Sequence, residues 1–203
     1  MNTDTKQLSY WQGAFGDEYI DRNSDLDLFS KRKPFFDHVV SSYPVKSILE
    51  VGCSIGGNLH ILKELDSTLA LTGVEPNGKA VERAKKSIPT AKIIHKNIFD
   101  TNFHEEFDLV FTAGVLIHIG PKDIDLALSK IHAASKRFIL AAEYYSPTEE
   151  TIPYRNLDDA LFKRPYDTLW TNNYEVKIIE SGYLDMKQGF DDCHWWLLEK
   201  SSK

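Results

Sequence analysis

Cysteine is scarce in this chain of 203 residues: only Cys53 and Cys193, far apart and without metal-ligand spacing. That excludes a disulfide-stapled secreted scaffold and leaves no metal motif, so no metal is expected. No apolar run approaches the ~20 residues of a membrane span, so no membrane partner is expected either. Met1 to Tyr10 is polar and lacks the apolar core of a signal peptide, which makes the cytoplasm the expected compartment. A basic excess is missing as well. There are 24 Lys and Arg against 30 Asp and Glu, a net charge of −6, with no basic stripe. Nucleic acid is therefore not an expected partner. There is no internal repeat and no low-complexity tract.

What is present is a normal hydrophobic content of 42% and a rich aromatic one of 12%. A chain of this length and composition buries a large core as one domain. Short apolar runs alternate with helical patterns. Strands are predicted over Val45–Val51, Leu69–Val74, Ala91–His95, Phe107–Thr112 and Arg137–Ala142. Helices are predicted over Asn58–Leu65, about Gly78–Ser87, and Lys122–Ala134 with Pro121 at its first turn. Such alternation predicts an α/β fold with a parallel sheet covered on both faces. Residues 1–44 look helical, with Phe35, Phe36, Val39, Val40 and Tyr43 as a buried face. From Tyr144 to Thr171 no period is clear, and Tyr174–Glu180 and Cys193–Glu199 read as two closing strands.

The strongest local signal is Ile-Leu-Glu-Val-Gly-Cys-Ser-Ile-Gly-Gly-Asn, residues 48–58. A strand runs into glycines and out into a helix, a turn that lets a ligand press against bare backbone. Dinucleotide sites want Gly-x-Gly-x-x-Gly, and Gly52, Ser54 and Gly57 match with one blemish. Methyl-donor sites want an acid two residues before the first glycine, then Gly-x-Gly-x-Gly. Glu50, Gly52, Ser54 and Gly56 fit with one substitution. A carboxylate at Glu50 repels a pyrophosphate, whereas the methionine end of S-adenosylmethionine carries an ammonium and a sulfonium. The methyl donor is therefore the expected cofactor; a plain βα turn is the bland alternative.

Glu75 ends the second strand, where a carboxylate can accept from both ribose hydroxyls; Pro76 and Asn77 supply the turn and the cap. Asn97 and Ile98 are placed to meet adenine, with Asp100 as the alternative, and Asn97 reads equally as a turn residue. Ala113 and Gly114 leave room beside the fourth strand's tip, and Val115 and Leu116 begin a turn. His118 follows beside the expected sulfonium position. A lone histidine among isoleucines is more often structural than catalytic.

Together, the Glu50–Gly57 loop, Glu75, Asn97 and Val115-Leu-Ile-His118 resemble a class I S-adenosylmethionine-dependent methyltransferase. Tyr10–Asn23, Ala142–Pro147 with Ile152–Arg155, Leu161–Arg164 and Trp195–Lys200 resemble one subfamily, the pseudaminic acid biosynthesis-associated methylases. The resemblance spans nearly the whole chain; Ser54 stands where the wider superfamily often has glycine. It implies a Rossmann-like, seven-stranded, mostly parallel sheet with an antiparallel last strand. It implies a single domain over 1–203: a helical lid over 1–44, a cofactor core over 45–142, a substrate-side insertion over 143–173 and closing strands over 174–203. The implied acceptor is a small molecule, a hydroxyl or amine of a nonulosonic (sialic-acid-like) sugar or its nucleotide-activated form. A donor-binding protein without catalysis, or another small metabolite or peptide as acceptor, remain the alternatives.

Trp11, Phe15 and Tyr19 are expected to close over the sulfonium and exclude water, since a cation suits an aromatic face. Arg22 is expected to meet the cofactor carboxylate. Glu143, Tyr144 and Tyr145 follow the fifth strand at the edge where open α/β sheets bind ligands. Glu143 and His118, with Tyr144 third, are the candidate bases for a hydroxyl acceptor. Tyr145 with Arg155, Lys163 and Arg164 of the insertion are candidate substrate contacts, the cations suiting an acidic group on a sugar. O- versus N-methylation and the oligomeric state are open at this level.

Overall fold

The computed structural model describes residues 5–23 and 26–201. The expectations for residues 1–4, 24–25 and 202–203 lie outside the described residues. The chain opens with α1 (Lys6–Gln12), α2 (Ala14–Arg22), a 3₁₀ segment (Leu26–Arg32) and α3 (Lys33–Ser42). Phe35, Phe36 and Val39 face inward from α3, while Val40 and Tyr43 are half-buried.

Strand and helix then alternate: β1 (Ser47–Val51), α4 (Gly57–Leu65), β2 (Ala70–Glu75), α5 (Gly78–Ser87), β3 (Lys92–His95), β4 (Phe107–Ala113), α6 (Ile124–Ala134) and β5 (Ser135–Glu143). These five strands pair in parallel. After a hairpin of β6 (Glu150–Tyr154) and β7 (Leu157–Lys163) come α7 (Tyr166–Asn173), β8 (Val176–Leu184) and β9 (Cys193–Lys200). The seven-stranded sheet runs β3-β2-β1-β4-β5-β9-β8, with β9 antiparallel to both its neighbours. This is the Rossmann-like methyltransferase fold.

Alternation along the strands divides the core. Ile48 of β1 and Leu109 and Phe111 of β4 pack with Phe36, Leu59 and Leu62 on one face. Leu49 and Val51 of β1 and Val110 of β4 pack with Leu128, Ile131 and Trp170 on the other. Both faces of every central strand are therefore apolar, as a parallel sheet under helices requires.

Two expectations are corrected. Helix α6 starts at Ile124, so Pro121 lies in the turn ahead of it rather than in the first helical turn. The stretch from Tyr144 is not irregular. Arg155 (φ +48°) and Asn156 (φ +66°) form a two-residue turn with both residues left-handed, the geometry that joins tightly paired strands. Beyond it, Tyr166 and Trp170 bury one face of α7 completely.

Candidate functional site

The sheet reverses its strand order between β1 and β4, and ligands of open α/β sheets bind at that point, outside the carboxyl ends of the strands. A cavity of about 410 Å³ opens there. The turn after β1 makes its floor. Gly52 has φ +71°, and a Cβ on it would stand 2.6 Å from Cγ2 of Val115. Gly56 has φ +82°, with a Cβ position 2.7 Å from Cδ1 of Ile88. Ser54 also adopts a left-handed φ of +48°, which aims its N–H at Oε2 of Glu75 (2.8 Å).

Glu75 at the tip of β2 is 7% exposed, and its Oε1 accepts from the Asn77 N–H at 2.9 Å. Burial pushes its pKa up to about 7, against the pull of those two backbone donors. Asn77 caps α5 through the Ala80 N–H and donates its amide to the Trp11 carbonyl (3.0 Å) and to Asp17 (2.9 Å). One side chain thus joins the Glu75 end of the cavity to α1 and α2. Trp11 and Tyr19 line the cavity, edge-on to each other at 5.3 Å, with Phe15 behind Trp11.

Glu50 at the tip of β1 is 2% exposed. Its Oε1 accepts from Asn58 Nδ2 at 2.7 Å, while its Oε2 has no hydrogen-bond partner among the described residues. Burial pushes its pKa up to about 8, opposed by the Asn58 hydrogen bond and the Arg32 charge. Arg32 donates to Asn58 Oδ1 (2.9 Å) and to the Gly189 carbonyl (2.7 Å), and its guanidinium lies between the rings of Phe29 and Phe190. Asn58 bridges the acid and the base with its two amide ends. Arg32, Asn58 and Phe190 all line the cavity, and no local sequence pattern announces Arg32 as a site residue.

Arg22 does not reach the cavity: it pairs with Glu18 one turn back, at 3.5 Å on the exposed side of α2. The arginine of the cavity wall is Arg32. Asn97 lines the wall beside Ile98, but its amide is engaged, accepting from the Asp100 N–H (3.0 Å) and donating to the Asp100 carboxylate (2.6 Å). Asp100 itself is exposed and outside the lining. Pro76, Ala113, Gly114 and Val115 line the cavity.

The far half of the cavity differs most from expectation. Glu143 is fully buried and absent from the wall; Oε1 accepts from the Val115 N–H and Oε2 from the Ile117 N–H, each at 3.3 Å. It anchors the turn after β4. Burial raises its pKa to about 7. His118 lines the wall under Trp11, with ring centroids 4.5 Å apart. Its Nδ1 donates to the Ala160 carbonyl at 2.6 Å, and burial lowers its pKa to about 4. Tyr144 lines the wall and donates its hydroxyl to Asp191 at 3.2 Å; burial and that carboxylate hold the phenol well above its usual range.

Tyr145 points away, against His194 and Trp196. Arg155 lies in the hairpin turn over the Tyr154 ring, and Lys163 ends β7; neither lines the cavity. Arg164 is 1% exposed and donates to the Leu116 (3.2 Å) and Ile119 (2.8 Å) carbonyls and to Glu149. It holds the hairpin segment to the turn after β4. Tyr154, Leu161 and Asp191, none of them expected from sequence, complete this half.

Comparison with known proteins agrees with the geometry. Residues 48–137 match the family model of a methyltransferase domain. No curated protein matches the chain by sequence. Among solved structures, the 1,6-didemethyltoxoflavin-N1-methyltransferase of Burkholderia thailandensis superposes with a TM-score of 0.73 at 14% identity, over 96% of this chain and 88% of that one. The magnesium protoporphyrin IX methyltransferase of Synechocystis gives 0.70 at 16%, over 99% and 100%. An N-methyltransferase of Bradyrhizobium japonicum gives 0.66 at 16%, over 85% and 87%. The first and third hold S-adenosylhomocysteine and the second S-adenosylmethionine. Residues 48–137 thus match a methyltransferase-domain model, and the chain as a whole shares the fold of these methyltransferases.

Proposed function

We propose that this chain moves a methyl group from S-adenosylmethionine to a hydroxyl or amine of a small molecule. The observation that carries this reading is the unpartnered, buried Oε2 of Glu50, joined through Asn58 to the Arg32 guanidinium at one end of the cavity. An amino-acid end of a ligand bears an ammonium and a carboxylate; Glu50 suits the first and Arg32 the second. At the other end Glu75 has lone pairs left for ribose hydroxyls, and Asn97 and Ile98 offer an adenine wall. Gly52 and Ser54 form the floor, Gly56 shapes the turn beneath it without lining the cavity, and Ala113, Gly114 and Val115 continue the floor.

Bound there, the donor supplies a carbon activated by its sulfonium. The protein's own part is orientation in a dry site. Trp11 and Tyr19 exclude water and present aromatic faces to a cation.

The acceptor to test first is a nonulosonic sugar or its nucleotide-activated form. Its support is the subfamily resemblance, together with Lys31 exposed in the cavity wall as a cation for the sugar carboxylate. The whole chain acts as one domain in this reading. It works in the cytoplasm, which suits two free, buried cysteines. Among the described residues, no helix is long and apolar enough to cross a membrane.

Thermal unfolding with S-adenosylhomocysteine, S-adenosylmethionine and NAD tests the cofactor. At a hundredfold excess over Kd a ligand of the native state adds about 2.7 kcal/mol, so the first two raise Tm and NAD does not. Equal stabilisation by NAD would replace methyl transfer with nicotinamide chemistry. Labelled donor with a panel of free and nucleotide-linked sugar acids, read by mass, tests the acceptor. Label on other metabolites alone would remove the sugar and leave the reaction.

A further inference from the structure

A hydroxyl or ammonium acceptor must give up a proton, and the three groups that the sequence offers for it are all compromised. Glu143 is fully buried behind the floor, with both oxygens committed to backbone N–H groups. His118 has its Nδ1 proton committed to Ala160, and burial makes its other nitrogen a weak base. Tyr144 is held as a phenol and donates to a carboxylate.

That carboxylate is Asp191. It lines the same cavity as Gly52 and Glu75 and is exposed within it. Its backbone is fixed from both sides. Before it, Asp185 caps the 3₁₀ turn Met186–Gln188, Gly189 closes that turn with φ +79°, and Arg32 grips the Gly189 carbonyl. Beside it, Phe190 is buried against Phe35 and the Arg32 guanidinium. After it, Cys193 begins β9. Arg32 therefore ties the Glu50 end of the cavity to the segment that carries Asp191.

We propose that Asp191 is the catalytic residue that receives the acceptor's proton, and that Tyr144 is the positioning residue that aims its carboxylate. The assignment rests on the methyl-transfer reading above. As the acceptor oxygen or nitrogen forms its bond to the methyl carbon, the carbon–sulfur bond breaks and its electron pair stays on sulfur. The acceptor's proton passes to a carboxylate oxygen of Asp191 and from there to water, to which the exposed side chain has access. The acceptor group that reacts is accordingly one with a proton to lose, presented beside Tyr144 and Asp191.

The test uses the full chain and labelled S-adenosylmethionine. The acceptor pools are a set of free and cytidylyl-linked nine-carbon 2-keto sugar acids and the small-molecule extract of cells that make the protein. Asp191→Asn is expected to bind S-adenosylhomocysteine within about threefold of wild type by calorimetry and to lose about 10²-fold in kcat, the scale of a missing acid–base group. Tyr144→Phe keeps the carboxylate but loses its orienting donor. It is expected to lose about tenfold in kcat with KM within about threefold, and Asp191→Glu to recover part of the loss seen with Asp191→Asn. Transfer by Asp191→Asn at the wild-type kcat, or a loss confined to KM, overturns the assignment and leaves methyl transfer standing. No label transferred by the wild-type protein to either pool overturns the methyl-transfer reading, and this assignment with it. Should Asp191→Asn not fold, an unchanged kcat in Tyr144→Phe overturns the proposal by itself.

Discussion

Glu50 is the penultimate residue of β1 and Glu143 the last of β5, two carboxylates 2% and 0% exposed at the same edge of one sheet. Burial drives both pKa values up, to about 8 and about 7. Their partners differ. Glu143 has a backbone N–H for each oxygen, both from the turn after β4. Glu50 has one side-chain amide and one oxygen with nothing. A buried acceptor left without a donor costs about 1–3 kcal/mol, and one on a residue of the cavity wall is a point that a ligand's donor can complete. A raised carboxyl pKa therefore does not by itself mark a functional acid; the count of satisfied oxygens separates the acid that serves the fold from the one that serves the site.

The sharpest way to break that contrast is Glu50→Gln. The shape persists, and the charge that meets an ammonium is gone. S-adenosylhomocysteine affinity is expected to fall about 10²-fold in calorimetry, the scale of a charge-assisted bond lost in a dry site, while the free protein melts no lower than wild type. The pH dependence gives an independent reading. Glu50 holds its proton more tightly folded than unfolded, so its contribution to stability is complete below the ordinary carboxylate range and is lost as pH rises through about 8. Glu75 and Glu143, at about 7, act in the same direction but release their protons earlier. Denaturant unfolding between pH 7 and 8.5 should therefore show a steeper decline in the wild type than in Glu50→Gln, which keeps only the part due to Glu75 and Glu143. An affinity within threefold of wild type, with matching pH slopes, would make Glu50 a second structural carboxylate.

Glu143→Gln probes the other arm. An amide nitrogen would face one of the two backbone donors, leaving that N–H buried and unpaired. A stability loss of about 1–3 kcal/mol is expected, read from the denaturant midpoint at constant slope. Cofactor affinity of the folded variant should stay within a few fold, because the side chain does not line the cavity. Unaltered stability with abolished transfer would return Glu143 to the chemistry.

The two arms were also unequally legible. Glu50, Gly52, Ser54 and Gly56 lie on one turn and Glu75 at the next strand tip, so spacing along the chain reports spacing in the site. The residues that went unforeseen arrive from elsewhere: Arg32 at the Glu50 end from the 3₁₀ segment before α3, and in the far half Tyr154 and Leu161 from a hairpin and Asp191 from the approach to β9. No local pattern links them. A signal for the hairpin did exist. Arg155-Asn156 between Thr151-Ile152 and Leu161-Phe162 is a turn with an apolar residue on either arm, but Pro153 and the acidic run Asp158-Asp159 mask the alternation. The cations of the insertion misled because charge count says nothing about direction: Arg164 points inward to main-chain carbonyls, and Arg155 sits at a turn tip.

The smallest effect is expected at Ser54, the one departure from the glycine pattern. Its φ of +48° is a conformation that costs an L-residue roughly 1–2 kcal/mol, so Ser54→Gly removes strain from the folded state. Glycine also widens the unfolded ensemble, which takes back about 0.5–1 kcal/mol. The net is a gain of under about 1 kcal/mol, visible as a small rise in Tm for a chain of this size. Binding should hardly respond, because what Ser54 gives Glu75 is its backbone N–H, which glycine keeps. The contrast with Glu50→Gln is then complete: a substitution in the middle of the cofactor turn leaves affinity alone, and one at the strand tip two residues before that turn's first glycine removes it. A loss of S-adenosylhomocysteine affinity of tenfold or more in Ser54→Gly would show that the serine hydroxyl, and not the turn it allows, contacts the ligand.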